Sequence, residues 1–332
     1  MAGAVPMVEV WRGGMAESRH RGHAVICDAT GAVVRAWGEP DAVILPRSSV
    51  KMIQALPLVE SGAADAAGLG SEELALACAS HEGAPMHVAR VAAWLDRLGL
   101  AEADLRCGAQ PTRDRAERKR MLIAGEVPCQ LHNNCSGKHA GFLTLSRHLG
   151  GGPDYNDTAH PVQRAVRAAF EDVTGMNSPR YGVDGCSAPN FATTMHGLAR
   201  AMAFFAVARP DAPDARPRAA ARLVAAMLAH PDLVAGEGRA CTELMRAMDG
   251  KVAVKTGAEG VFVAILPARR LGVAVKIEDG ATRASEAAIV GLLAHLGVLD
   301  RDHPAARKRL GDPIRNWRGI ETGEIRLAEG FA

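Results

Sequence analysis

The chain has 332 residues, of which 48% are apolar, so it can bury a large core in one large or two medium domains and is not a disordered chain. Its net charge is only +2, and the densest charged stretch, Arg113 to Arg120, mixes signs at helical spacing, which reads as a solvated helix face and not a nucleic-acid surface. No apolar run reaches the ~18 residues needed to span a membrane. The N-terminus lacks a basic segment followed by an apolar one, so a cytoplasmic location is expected.

Residues 7–11, 23–28 and 32–37 read as strands, with Asp28-Ala29-Thr30-Gly31 as the turn between the last two. Pro46 followed by Met52-Ile53-x-x-Leu56 predicts a helix that starts near Ser48 and enters the core. Further helices are predicted over 71–79, from Pro85 to Gly99, and near 112–124 with Gly125 as its stop. A polar block, Leu131 to Gly141, leads into a helix reaching about Leu149, and another helix runs from Pro161 to about Thr174. Tyr181 to Asn190 is rich in turn residues, and residues 195–208 are helical and apolar. Arg209 to Pro217 reads as a surface loop, followed by helices near 218–229 and 238–248. Strands are expected at 251–256, 260–266 and 271–277, with a helix at about 282–297. The order implies an α+β fold in one catalytic unit spanning 1–332. Its antiparallel sheet comes from about 5–40 and 250–330, and a helical body of about 48–248 lies between them.

The chemistry is signalled first by lysine. Of the 39 cationic residues only seven are lysines (Lys51, Lys119, Lys138, Lys251, Lys255, Lys276 and Lys308), so this chain writes a surface cation as Arg. Arg cannot act as base or metal ligand, and each lysine therefore merits a reason. Ser48-x-x-Lys51 places a hydroxyl and an amine on one helix face, the spacing by which lysine can activate a serine without histidine. Eleven serines and seven lysines yield about 0.2 such pairs by chance, so the motif alone is weak. Lys255-Thr256-Gly257 at the end of a late strand strengthens it, because this is the pattern of serine β-lactamases and penicillin-binding proteins. A lysine base must be held neutral, which burial and a second nearby ammonium both favour. Ser80 precedes His81-Glu82-Gly83 at a helix end and is read either as a cleft hydroxyl or as a capping serine.

Seven cysteines occur without a C-x-x-C pair, and most are expected to be buried free thiols. Asn133-Asn134-Cys135-Ser136-Gly137-Lys138-His139 gathers polar groups before a helix, where free N–H groups can bind an anion. Cys135 and Cys186 with one nitrogen, from Lys138 or His139, would make an open zinc site.

Taken together, Arg47-Ser48-x-x-Lys51, Cys78-Ala79-Ser80-His81, Asn134-Cys135-Ser136-Gly137-Lys138-His139, Asp184-Gly185-Cys186, Val234-Ala235-Gly236-Glu237-Gly238-Arg239 and Lys276-Ile277-Glu278-Asp279-Gly280 resemble the asparaginase II family of rhizobial-type serine–lysine L-asparaginases. The resemblance covers about residues 8–325. It implies a fold similar to serine β-lactamases, a homodimer, and hydrolysis of L-asparagine to L-aspartate and ammonia. It further implies Ser48 as nucleophile with Lys51 as base, and Ser80 with Lys255 as a second tandem. A zinc ion would sit on Cys135, Lys138 and Cys186, and Arg47, His81, Asn133, His139 and Asp184 would surround the substrate. Rival readings are a β-lactamase or peptidase, which the missing signal segment disfavours, and a threonine-nucleophile asparaginase, whose Thr-Gly-Gly-Thr motif is absent. A non-catalytic zinc-binding or amino-acid-sensing protein is the third.

Overall fold

In the computed structural model, which describes residues 3–332, the apolar run Val261–Leu266 is a strand whose every residue is buried, so both of its faces are covered. A strand buried on both faces has no polar alternation, which is why it reads as a continuous run of Val, Phe, Ile and Leu. It belongs to an antiparallel sheet of eight strands among the described residues. The order is Ile314–Arg315, Glu321–Leu327, Val5–Arg12, Met15–Cys27, Leu271–Ile277, Val261–Leu266 and Ala253–Thr256, with Val33–Trp37 also pairing with Met15–Cys27. The sheet thus joins the two chain ends, as an α+β fold with an inserted helical body requires.

The chain forms two compact units. The sheet unit comprises the residues up to Ser49, Thr193–Val207 and those from Glu243 onward. Helices Met195–Ala206 and Thr282–His295 pack on its sheet. The first is capped by Thr194, whose hydroxyl accepts the Gly197 N–H at 2.9 Å, and tied to the turn between strands Met15–Cys27 and Val33–Trp37 by His196 Nε2, which donates to the Gly31 carbonyl at 2.8 Å.

The helical unit comprises Val50–Ala192 and Ala208–Thr242. Its axis is the helix Ser136–His148, in which residues 136–146 are all buried. A helix buried all round cannot be amphipathic, and its polar residues must find partners inside. Thr144 illustrates this: its hydroxyl accepts from Trp94 Nε1 at 3.1 Å and donates to the Ala140 carbonyl at 2.8 Å. Pro85–Arg97, Arg115–Ala124, Pro161–Thr174 and Ala215–Ala229 are the other long helices. No helix of the described residues is long and apolar enough to cross a membrane.

Several sequence expectations need correction. The helix expected from Ser48 is instead a 3-10 turn, Arg47–Val50, followed by the short helices Lys51–Gln54 and Leu56–Glu60. The turn-rich segment after Tyr181 is a hairpin of Tyr181–Val183 and Pro189–Phe191. The strand expected at 23–28 begins at Met15, because its exposed, charged first half pairs with Val5–Arg12. Glu321–Leu327 is a half-buried strand that sequence reading did not single out.

Candidate functional site

In the sheet unit the stretch Pro46-Arg47-Ser48-Ser49 forms a tight turn. Arg47 has φ +54, a left-handed conformation rarely adopted by residues with a side chain. Ser49 is buried, and its hydroxyl donates to the Pro46 carbonyl at 2.7 Å, whereas Ser48 is half-buried. Of the two adjacent serines, Ser49 is therefore committed to the turn. The end of strand Ala253–Thr256 lies against this turn. A Cβ on Gly257 would stand 2.9 Å from the Pro46 carbonyl oxygen and 3.2 Å from Ser49 N, so only glycine lets the Lys255-Thr256-Gly257 segment come so close. Lys255 is 1% exposed, and its Nζ donates to the Thr256 carbonyl at 2.7 Å. The Arg47 guanidinium lies 3.8 Å from the Glu259 carboxylate, two residues beyond Gly257.

The helical unit holds the remaining expected residues. Lys51 is 0% exposed, and its Nζ donates to the Ala79 and Asn134 carbonyls. These carbonyls belong to the residues immediately before Ser80 and Cys135, so one amine ties together the starts of two polar motifs. Ser80 is buried, with its N–H donating to the Val234 carbonyl at 2.9 Å.

His81 is buried and stacks on His87 with ring centroids 4.8 Å apart. Its Nδ1 accepts the Gly83 N–H at 3.1 Å, which leaves the proton on Nε2 to donate to Ser136 Oγ at 3.0 Å. Both ring nitrogens are thus engaged within the unit. Asn133 is likewise committed: its Nδ2 donates to the Cys107 and Gly108 carbonyls, and its Oδ1 accepts the Cys135 N–H at 2.9 Å.

Cys135, Lys138 and Cys186 come together. Lys138 Nζ donates to Cys186 Sγ at 3.0 Å, and all three residues are 3% exposed. Hydrogen bonding from Cys135 lowers the Cys186 pKa well below that of an ordinary thiol, against burial and helped by Lys138. The Cys186 contact, with burial, raises the Cys135 pKa. Burial opposes the charge on Lys138, but the Cys186 and Cys135 sulfurs outweigh it and raise its pKa. Asp184, half-buried in the hairpin turn before Cys186, accepts the Gly185 N–H and adds negative charge toward Lys138.

His139 is buried beside this cluster. Its Nδ1 is hydrogen-bonded at 2.9 Å to the Tyr155 hydroxyl, which also accepts from Arg106 N at 2.7 Å. Its Nε2 completes no hydrogen bond of normal geometry, although the Cys186 sulfur interacts with the ring and acts against the effect of burial on it. This donor set suits a soft or borderline metal: two sulfurs and an amine, with the His139 imidazole beside them. No group of three His, Cys, Asp or Glu suited to a metal occurs among the described residues, and a Cys–Cys–Lys set supplies only two of that kind. Tyr155 carried no sequence signal beyond being one of only two tyrosines.

Burial lowers the pKa values of His81 and His87 below the ordinary histidine value, and that of His139 to about 4. A depressed folded-state value means that the unfolded chain binds more protons below pH ~6.5, so these rings contribute stability above that pH and lose it as pH falls. The thermal midpoint of the metal-free protein should decline from pH 6.5 towards 4. A flat midpoint between pH 7 and 5 would contradict the neutral, buried assignment.

Comparison with known proteins gives a family match. The profile of the L-asparaginase II family covers residues 8–327. No curated protein matches the chain. Among solved structures, the native form of Mglu is similar at 15% identity and TM-score 0.46, covering 88% of this chain and 68% of that one. Mglu in its tris and glutamate form gives 14% and 0.49, covering 91% and 64%. The chain therefore spans about two thirds of the length of the Mglu chains. A β-lactamase from Sulfitobacter sp. EE-36 gives 17% and 0.40, covering 82% and 93%. Likenesses this distant carry nothing about activity, which rests on the family match and on the residues.

Proposed function

The chain belongs to the L-asparaginase II family, and on that premise we propose that it hydrolyses the side-chain amide of L-asparagine through an acyl-enzyme on Ser48. The observation that carries this reading is the environment of Lys51. A neutral amine has two N–H bonds and one lone pair. The Ala79 and Asn134 carbonyls take up two of the three positions on the Lys51 nitrogen, which leaves the third to exchange a proton with a hydroxyl. The 3-10 turn that carries Ser48 runs directly into the helix that begins with Lys51.

In the proposed sequence Ser48 Oγ attacks the amide carbon while its proton passes to Lys51. The C–N bond then breaks as a lysine protonates the leaving ammonia. Water, deprotonated by the same lysine, releases L-aspartate and restores the Ser48 hydroxyl. Ser80 and Lys255 are the second serine–lysine tandem of the proposal. Arg47, Asp184, Asn133, His81 and His139 line or brace the substrate site, the last three by holding loops in place. Cys135, Lys138 and Cys186 would hold a zinc ion, which when bound supplies a fixed positive charge near the substrate. A cytoplasmic homodimer is part of the same proposal.

Purified protein should release ammonia and aspartate from asparagine in equal amounts, and its zinc content should disappear when Cys135 and Cys186 are both changed to Ser. Asparagine binding without ammonia would favour the amino-acid-sensing alternative, and rapid cephalosporin hydrolysis the β-lactamase one. Full zinc in the double variant would remove the metal site from the proposal. Running the assay with and without a chelator, on asparagine and on glutamine, separates these outcomes.

A further inference from the structure

The Gly236-Glu237-Gly238-Arg239 block has no part in the chemistry above, yet it meets the residue two places after Ser80. Glu82 is buried, and its carboxylate accepts the Glu237 N–H at 3.1 Å. Gly236 has φ +119, and a Cβ there would stand 2.3 Å from Glu82 Oε1 and 2.4 Å from its carboxyl carbon. No other residue type both adopts that backbone conformation and leaves room for the carboxylate. The Glu82 main chain is held as well: its carbonyl accepts from Arg113 N at 2.7 Å and from Thr112 Oγ1 at 3.0 Å. Ser80 donates its N–H to Val234, two residues before Gly236. The Ser80-His81-Glu82 stretch is thus fastened at both ends to the one turn, 234–237.

We propose that Glu82 is a positioning residue that fixes the Ser80 hydroxyl by latching its loop onto the Gly236-Glu237 turn. This rests on the reading of Ser80 as part of the catalytic apparatus. Gly236 is the seat of the latch and the Glu237 N–H its catch. What the latch requires of residue 82 is a side-chain oxygen acceptor of the right length, not a charge. A glutamine keeps such an acceptor and an alanine does not.

The test compares Glu82→Ala, Glu82→Gln, Gly236→Ala and the Glu82→Ala/Gly236→Ala pair for ammonia release from asparagine. Glu82→Ala should lower kcat on the order of 10²-fold, the penalty of a displaced catalytic group, with KM little changed. Glu82→Gln should recover most of that loss. Gly236→Ala should lower kcat similarly, and the double variant should lose less than the product of the two single losses, because the clash with the carboxylate is gone although the strain of φ +119 at residue 236 remains. The proposal fails if Glu82→Gln is as poor as Glu82→Ala, if the two single losses multiply in the double variant, or if the effect lies in KM. Should Gly236→Ala not fold, the Ala–Gln comparison at 82 decides alone. Ser80→Ala in the same series separates the two levels. Activity that survives Ser80→Ala overturns the catalytic reading and the latch with it. Activity lost in Ser80→Ala but kept in Glu82→Ala overturns the latch only.

Discussion

Ser48→Ala should lower ammonia release from asparagine by at least about 10³-fold, the scale seen when a covalent nucleophile is removed, while the protein stays folded. The prediction is sharp because a second serine stands beside it. Ser49 cannot take over: it is buried, and its hydroxyl is bonded to the Pro46 carbonyl. Ser49→Ala removes a buried hydrogen bond and should cost about 1 kcal/mol of stability, leaving the chemistry in place. The two variants therefore dissociate, one losing activity without stability and the other stability without activity. The measurement is steady-state ammonia release set beside a thermal melt for each. Activity retained in Ser48→Ala would move the nucleophile elsewhere, with Ser80 the first residue to examine.

Much of the fold could be read from the sequence wherever local chemistry decides the conformation. Pro161–Thr174 starts on its proline and stops at Gly175, which has φ +70, as its sequence predicts. Strands Val261–Leu266 and Leu271–Ile277 announce themselves through β-branched and aromatic residues. What could not be read depends on distant parts of the chain. Nothing within residues 195–206 says that this helix returns to pack on a sheet made by the chain ends. The first half of Met15–Cys27 is polar and charged, and only its pairing with Val5–Arg12 makes it a strand.

The candidate site divides in the same way. Chemical type was visible, since scarce lysines and cysteines in polar turns stand out in an arginine-rich chain. The hydrogen bonds that orient those groups were not. Tyr155 bonds to His139 from 16 residues away, and Glu82 meets Glu237 across 155 residues. Neither contact leaves a local pattern. The Ser-x-x-Lys spacing presupposes one continuous helix, whereas Ser48 lies in a 3-10 turn that ends at Val50 and Lys51 opens a separate short helix.

Lys51 allows charge and basicity to be separated. Lys51→Met keeps the length and the apolar stem but removes the donors to the Ala79 and Asn134 carbonyls. Each buried acceptor left without a partner costs about 1–3 kcal/mol, so this variant should be both inactive and destabilised. Lys51→Arg retains N–H groups for both carbonyls and a permanent charge, but it has no lone pair to offer a serine. Lys51 is 0% exposed, so the larger guanidinium must also be accommodated, at about 1–3 kcal/mol for overpacking. Both variants should therefore lose ammonia release by at least about 10³-fold, as Ser48→Ala does. Substantial activity in Lys51→Arg would show that residue 51 acts through charge alone and that the base lies elsewhere. Lys255→Arg then supplies the comparison. If the two amines work as tandem bases, it should be as inactive as Lys51→Arg; if Lys255 contributes only positive charge, it should keep much of the activity that Lys51→Arg loses.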